Sequence, residues 1–219
     1  MDTQFYMKLA SFAIGAFLVG GIPFGFIIGK LNGKDIRKEG SCNIGATNVT
    51  RVIGKWWGKL CFLLDFLKGA LPVTAAIMLS KNDSAGIIPA VTSFMVVAGH
   101  IWPVYLKFKG GKGVATAAGA FLPISWAAIL IALIVWALVF LTTRYVSLAS
   151  ITAAVIFGIA AVVLYILFPG IGLIPGHPIG KACLIPIILL SILTVIKHHS
   201  NITRLLNGTE NKFVKKEKI

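Results

Sequence analysis

Charge is what this sequence has least of. Only 13% of its 219 residues are Asp, Glu, Lys or Arg, about half the roughly 25% usual for a soluble domain. Between residues 114 and 196 the only formal charges are Arg144 and Lys181. A soluble fold could not cover apolar runs of that length. Acidic residues are scarcer still: seven, scattered, which excludes a carboxylate-rich Mg²⁺ site. Three cysteines, Cys42, Cys61 and Cys183, lie far apart. That count and spacing give neither a disulfide framework nor a metal motif, and no His, Cys or carboxylate cluster has zinc spacing. Residues 1–8 carry Asp2 and a single Lys, with no small-residue cleavage site. The first apolar run therefore reads as a retained span rather than a signal peptide.

What is present is a series of apolar stretches matched to a bilayer core. They cover residues 9–29, 60–79, 86–106, 114–143, 146–168 and 181–196. The net charge is +14, and the Lys and Arg residues collect in the loop 30–59, the loop 107–113 and the tail. In such a chain this bias marks cytoplasmic loops, not nucleic-acid binding. The loops 80–84 and 169–180 then face outward. With Arg144 also cytoplasmic, the 114–143 stretch must go out and return, as two helices hinged near Pro123 and one of them short. The expected fold is all-α: a single integral membrane domain over residues 1–219, a polytopic bundle of seven helices, N-terminus out and C-terminus in. A basic cytoplasmic tail begins at about residue 198.

Four polar stretches depart from bland membrane composition. The first, Gly40-Ser41-Cys42-Asn43-Ile44-Gly45-Ala46-Thr47-Asn48-Val49-Thr50-Arg51, offers backbone N–H groups, hydroxyls, amides and a guanidinium fork suited to phosphate. A polar turn capping the next helix would explain one such residue, not this many. The second, Lys107 to Gly113, interleaves Gly110, Gly111 and Gly113 with Lys109 and Lys112. Glycines let backbone close around an anion, and a helix beginning near Val114 would aim its N–H groups at the same ligand. A Walker A loop does not fit, because Gly113 follows Lys112. The third, Arg144 to Ser150, puts Ser147 and Ser150 on one helix face. The fourth, Lys197 to Glu210, places His198 and Asn201 at i and i+3, where a His at the membrane edge can act as a base. A helix end whose cations favour the C-terminal dipole is the competing reading. Asp65 and Lys68, also i and i+3, read as a structural ion pair. His100, beside Trp102, reads as an interface anchor, and Cys42 as a weak candidate nucleophile. The His-x-x-x-x-Asp pattern of soluble-type glycerolipid acyltransferases is absent, since Tyr105 stands five residues after His100.

Taken together, these four stretches resemble the bacterial membrane family of acyl-phosphate:glycerol-3-phosphate acyltransferases (PlsY), over nearly the whole chain. Residues 40–51 look like its first motif, GHIWPVYLK followed by FKGGKGVAT like its phosphate loop, and RYVSLASI like a further signature. His198-x-x-Asn201, Arg204-Leu205 and Gly208-Thr209-Glu210 look like its last motif. Cys42 stands where the family usually has Gly, which argues against thiol catalysis and raises the question of a positive φ there.

The resemblance implies acyl transfer from acyl phosphate to the 1-hydroxyl of glycerol 3-phosphate, giving lysophosphatidate and phosphate. The implied catalytic residues are His198, Asn201, Ser41 and Arg51. The implied substrate- and phosphate-binding residues are Asn43, Thr47, Asn48, Lys109, Gly110, Gly111, Lys112, Gly113 and Ser147, with Glu210 tying down the tail. The base is His198 or an oxygen of the leaving phosphate. No metal or organic cofactor is implied, and the partners are the two substrates and membrane lipid, with no nucleic acid. The protein is expected to be a monomer of the bacterial cytoplasmic (inner) membrane, its site facing the cytoplasm. Two rivals differ in class. An organic-phosphate transporter should show an internal repeat and midplane motifs, and neither is visible. A structural subunit binding anionic lipid would not need Gly, Ser, Asn and Arg grouped in one loop.

Overall fold

A computed structural model describes residues 3–80, 82–168 and 180–213. The Gly- and Pro-rich segment 169–178 and the tail lysines Lys215, Lys216 and Lys218 lie outside the described residues. Among the described residues every regular element is helical. Besides two short 3₁₀ turns, Val104–Leu106 and Lys181–Cys183, they are in chain order α1 (Thr3–Gly21), α2 (Phe24–Leu31), α3 (Ala46–Val52), α4 (Lys55–Leu79), α5 (Ile87–Ile101), α6 (Val114–Phe121), α7 (Trp126–Thr143), α8 (Val146–Leu167), α9 (Leu184–Lys197) and α10 (His199–Leu206).

The apolar stretches fold as helices, with differences from the expected seven. The first is α1 and α2 together, interrupted at Pro23, which has no N–H to donate. Among the described residues five spans are long and apolar enough to cross a membrane, and six if Lys181–Lys197 and His199–Leu206, bent by 50° at their junction, count as one. The 114–143 stretch divides as expected, with Pro123 between α6 and α7. Eight residues of α6 rise only about 12 Å, well short of the roughly 30 Å core, so α6 enters the bundle without crossing it. Two short helices, α3 and α10, were not anticipated. Both lie at the end of the bundle where the polar motifs gather, and neither is apolar enough to be visible as a span.

Helix α1 packs on α5, α4 on α6, α7 on α8 and α8 on α9. The interior is built from small or compact side chains such as Val73, Val96, Ala120, Ala128 and Ala161, while Leu130, Leu133, Leu141 and Ile159 face outward. Helices in lipid gain nothing by hiding leucine from an equally apolar solvent. They associate through close backbone packing instead. The α4–α6 crossing shows this in reciprocal form. A Cβ at Gly69 would run into the Thr116 carbonyl, and one at Gly119 into the Phe66 carbonyl. This crossing seats α6 and therefore the loop before it. A second apolar cluster, including Ile28, Ile36, Ile44, Val49 and Cys61, lies under the loop that carries the first motif.

Substituting Gly119→Leu is expected to destabilise the protein by about 1–3 kcal/mol through overpacking. A lowered melting temperature in detergent would bear this out, and an unchanged one would show that the crossing tolerates separation.

Candidate active site

The first motif folds around one side chain. Asn48 is buried, and its amide nitrogen faces the carbonyls of Ile36 (2.8 Å), Glu39 (3.1 Å) and Asn43 (2.9 Å). Its Oδ1 accepts from the Ser41 N–H at 2.8 Å. A loop with this many buried backbone groups must satisfy each of them, and Asn48 does so from the centre. Asn43 Oδ1 accepts from the Gly45 N–H at 2.8 Å. Asn48 also lines the pocket, where it is expected as a binding residue, and the hydrogen bonds of its side chain all go to its own loop. Gly40 and Cys42 both lie in the left-handed region, at φ 63° and 56°. A Cβ at Gly40 would strike Asn48 Oδ1, so glycine is required there. Cys42 has the positive φ that its departure from the family pattern raised as a question. Its thiol is exposed and lies off the pocket wall.

The loop of the second motif divides in two. Gly110 donates its N–H to the Ile101 carbonyl at 3.2 Å and Gly111 to that of His100 at 3.1 Å. These amides close the C-terminal end of α5 and are not offered to a ligand, and Lys109 is exposed away from the pocket. Lys109, Gly110 and Gly111 therefore do not form the expected anion cradle. Lys112 and Gly113 do reach the pocket, together with Val114 and Ala115 at the start of α6. The first turn of a helix has N–H groups without intrahelical partners, which matches the expected aim of this helix.

The third and fourth motifs complete the wall. Ser147 and Ser150 both line it, and the Trp136 indole donates to Ser150 Oγ at 3.2 Å. His198 sits at the bend between α9 and α10 and is buried. Its Nδ1 lies 2.7 Å from the Thr194 carbonyl. A carbonyl only accepts, so the proton is assigned to Nδ1, and Nε2 is left with its lone pair. Asn201, from α10, donates through Nδ2 to Glu210 Oε1 at 2.8 Å, and its Oδ1 accepts from the Lys112 ammonium. Glu210 also accepts from Ser147 Oγ at 2.9 Å and pairs with Arg204 at 2.7 Å. Burial pushes the Glu210 carboxyl up, but hydrogen bonds from Asn201, Arg204 and Ser147 outweigh it and hold it below its ordinary value. The charge pair expected of Glu210 is present, and its carboxylate also forms part of the pocket wall.

Arg51 donates to the Asn211 carbonyl at 3.2 Å, which draws the tail across the pocket. Farther along, the Phe213 N–H donates to the Arg144 carbonyl at 2.9 Å, and the Phe213 ring meets Phe140 edge-on. Among the described residues neither Arg51 nor Lys112 has a carboxylate within ion-pair distance. Burial pushes the Lys112 ammonium down to about 8, with Arg204 and Arg51 adding to the shift and Glu210 opposing it. Two cations without carboxylate partners, the first N–H groups of α6 and the His198 imidazole thus line a cavity of about 180 Å³. The set is suited to a phosphate group and to removing a proton beside it.

Asp65 and His100 also line this cavity. The Asp65–Lys68 pair expected from spacing is present at 2.7 Å. His100 is not the interface anchor its neighbour Trp102 suggested: it is buried, with Nδ1 3.6 Å from Asp65. Thirty-five residues separate the two in sequence, so spacing gave no sign of the contact.

The sequence profile of the family described as Glycerol-3-phosphate acyltransferase matches residues 10–208. The chain belongs to this family. A glycerol-3-phosphate acyltransferase of Aquifex aeolicus is 42% identical over 207 residues, covering 94% of this chain and 100% of that protein. One from Syntrophotalea carbinolica is 45% identical over 96% of this chain and 98% of its own. Among solved structures, the glycerol 3-phosphate form of PlsY (YgiH), an integral membrane glycerol 3-phosphate acyltransferase, superposes with a TM-score of 0.82 at 41% identity, covering 94% of this chain and 96% of that one. The lysophosphatidic acid form of PlsY gives 0.80 at 40% identity, covering 94% and 95%. This is the membrane acyltransferase family that the four sequence motifs resembled.

Two outcomes follow for this member of the glycerol-3-phosphate acyltransferase family. Burial holds the Lys112 ammonium at about 8, so affinity for inorganic phosphate, read by calorimetry, should fall as pH rises through that value and the charge is lost. In Lys112→Arg the fall should move beyond the measurable range. Separately, Cys42→Gly removes a left-handed strain of about 1–2 kcal/mol, partly offset by a freer unfolded chain. A melting temperature higher by a few degrees is expected, with catalytic activity retained.

Proposed function

We propose that this protein transfers a fatty acyl group from acyl phosphate to the 1-hydroxyl of glycerol 3-phosphate, releasing phosphate and lysophosphatidate, at the cytoplasmic face of the bacterial inner membrane. One observation carries the reading. The polar pocket, with Arg51 and Lys112 lacking carboxylate partners, shares Val114, Trp136 and Ser150 with an apolar cavity of about 100 Å³ that runs between α6, α7, α8 and α9 toward Phe121 and Phe157. A water-soluble phosphate ester and an acyl chain can meet only where such compartments join.

The chemistry needs no acyl-enzyme, because the leaving phosphate of a mixed anhydride is already a good one. The hydroxyl oxygen of glycerol 3-phosphate bonds to the acyl carbon, the bond from that carbon to the phosphate oxygen breaks, and inorganic phosphate departs. Catalysis then consists of proximity, removal of the hydroxyl proton and stabilisation of developing negative charge. Arg51, Lys112 and the first N–H groups of α6 would supply the last. Ser41, Thr47 and Ser147 would orient the phosphates, and Asn201 would set the position of Lys112. The proton passes to His198 Nε2 or to an oxygen of the leaving phosphate. The free lone pair on Nε2 supports the first route.

The orientation belongs to the same reading. All four motifs lie at the end of the bundle where the basic loops collect, which the positive-inside rule assigns to the cytoplasm. Counting half-length α6 with the α1–α2, α4, α5, α7, α8 and α9 segments gives seven, with the N-terminus outside.

The test is phosphate release by the purified protein given palmitoyl phosphate and glycerol 3-phosphate, compared with His198→Ala across pH. Acceptor-dependent release with lysophosphatidate formed is expected. His198→Ala should lose about two to four orders of magnitude and lose the acidic limb of the rate profile. The same limb in the variant would assign the base to the leaving phosphate. No acceptor-dependent release from a well-folded sample would overturn the donor assignment.

A further inference from the structure

Asp65, Lys68 and His100 form a buried polar cluster that the reaction above does not use. Asp65 Oδ1 lies 2.7 Å from the Lys68 ammonium and 3.6 Å from His100 Nδ1. Lys68 also donates to the Ile22 carbonyl at 2.7 Å, at the break between α1 and α2. His100 is only 5% exposed. Such a cluster is a poor way to gain stability, because desolvating the charges offsets most of their attraction. Its position gives it another use. The His100 ring stands against the loop that carries Lys112: a Cβ built on Gly111 would collide with His100 Nε2 and lie 3.1 Å from both Cδ2 and Cε1. The Gly111 N–H is meanwhile held by the carbonyl of the same histidine at 3.1 Å. Lys112 is the next residue, and α6 begins at Val114.

We propose that His100 is a positioning residue, whose ring, held in place by Asp65, fixes the Gly111 backbone and so aims Lys112 and the first turn of α6 into the pocket. Asp65 stands against the Nδ1 edge of the ring at 3.6 Å, a charge contact longer than a hydrogen bond, and Lys68 balances the carboxylate and anchors it to the α1–α2 break. The loop ahead of this contact cannot serve as the reference point. Lys107 and Phe108 are exposed and both sit at positive φ, 51° and 62°. The chain is brought back into the bundle at Gly110 and Gly111. A shift of Gly111 therefore passes directly to the ammonium that meets the phosphate. The proposal rests on Lys112 being a phosphate ligand.

The test is a double-mutant cycle on Gly111→Ala and His100→Ala in the full-length protein, read as the inhibition constant of inorganic phosphate and the KM for glycerol 3-phosphate. Gly111 is not at positive φ, so an alanine there is strained only by what it touches. Gly111→Ala alone should weaken phosphate binding roughly tenfold, a coupling in the range seen for residues in contact. In the His100→Ala background, where the ring is gone, the same substitution should cost about twofold or less. Asp65→Asn should weaken phosphate in the same direction as His100→Ala and should not add to it. Additive losses, or variants in which only the melting temperature falls while phosphate inhibition and KM are unchanged, would overturn the positioning role. Lys112→Met separates the two layers. If it loses phosphate inhibition while the His100 variants keep theirs, His100 is structural and the phosphate site stands. If Lys112→Met also inhibits normally, the phosphate assignment itself fails.

Discussion

Lys112 is met by an amide oxygen and not by a carboxylate, and the arrangement of the site depends on that choice. A carboxylate in the same place would neutralise the ammonium and compete with any phosphate. The carboxylate is one step removed: Glu210 accepts from Asn201, which turns the Asn201 carbonyl oxygen toward Lys112. An amide can point either way, so Glu210 determines which atom the lysine finds. The same glutamate holds Ser147 and Arg204, and its burial requires the tail to fold back over α8. Gly208 at φ 68° makes that reversal, and the Phe213–Arg144 backbone contact fastens its far side. The tail is thus a wall of the pocket, though the sequence presents it as a solvated basic extension.

The second constraint is the bilayer. Uncompensated cations are costly in its interior, while an acyl chain is at home there. The fold resolves this with a half-length helix. Because α6 stops after eight residues, its N-terminal N–H groups stay at the bundle end with Lys112, while its other end leaves room for an apolar cavity. The close α4–α6 crossing at Gly69 and Gly119 fixes its depth. One short element therefore forms the floor of the polar pocket and the mouth of the apolar one.

Much of this was legible in the residues. The hydropathy runs and Pro123 marked the helices and the hinge, because bilayer thickness and the missing proline N–H act locally. Ser41, Arg51, Lys112, Gly113, Ser147, His198 and Asn201 were marked by their chemistry, and all of them line one pocket. Other donors are already bonded within the fold. Asn48, Gly110 and Gly111 carry N–H groups suited to a ligand, and in each case those groups meet backbone carbonyls, although Asn48 still lines the pocket. Residue type shows what a side chain can bond to, and only the fold shows what has already claimed it. His100 and Asp65 were missed for the opposite reason, since their contact joins two helices and leaves no periodic trace.

A helical membrane protein, the polar motifs gathered at one end of its bundle and the family to which it belongs were all readable from the residues. These follow from composition, from charge bias and from motifs that survive as strings of residues. Which polar groups remain free for a ligand, which way the Asn201 amide faces, and that a buried Asp–His–Lys cluster backs the loop carrying Lys112 came only with the folded chain. Those are properties of pairs of atoms distant in the chain, and hydrogen-bond satisfaction between them is settled only when the helices have packed.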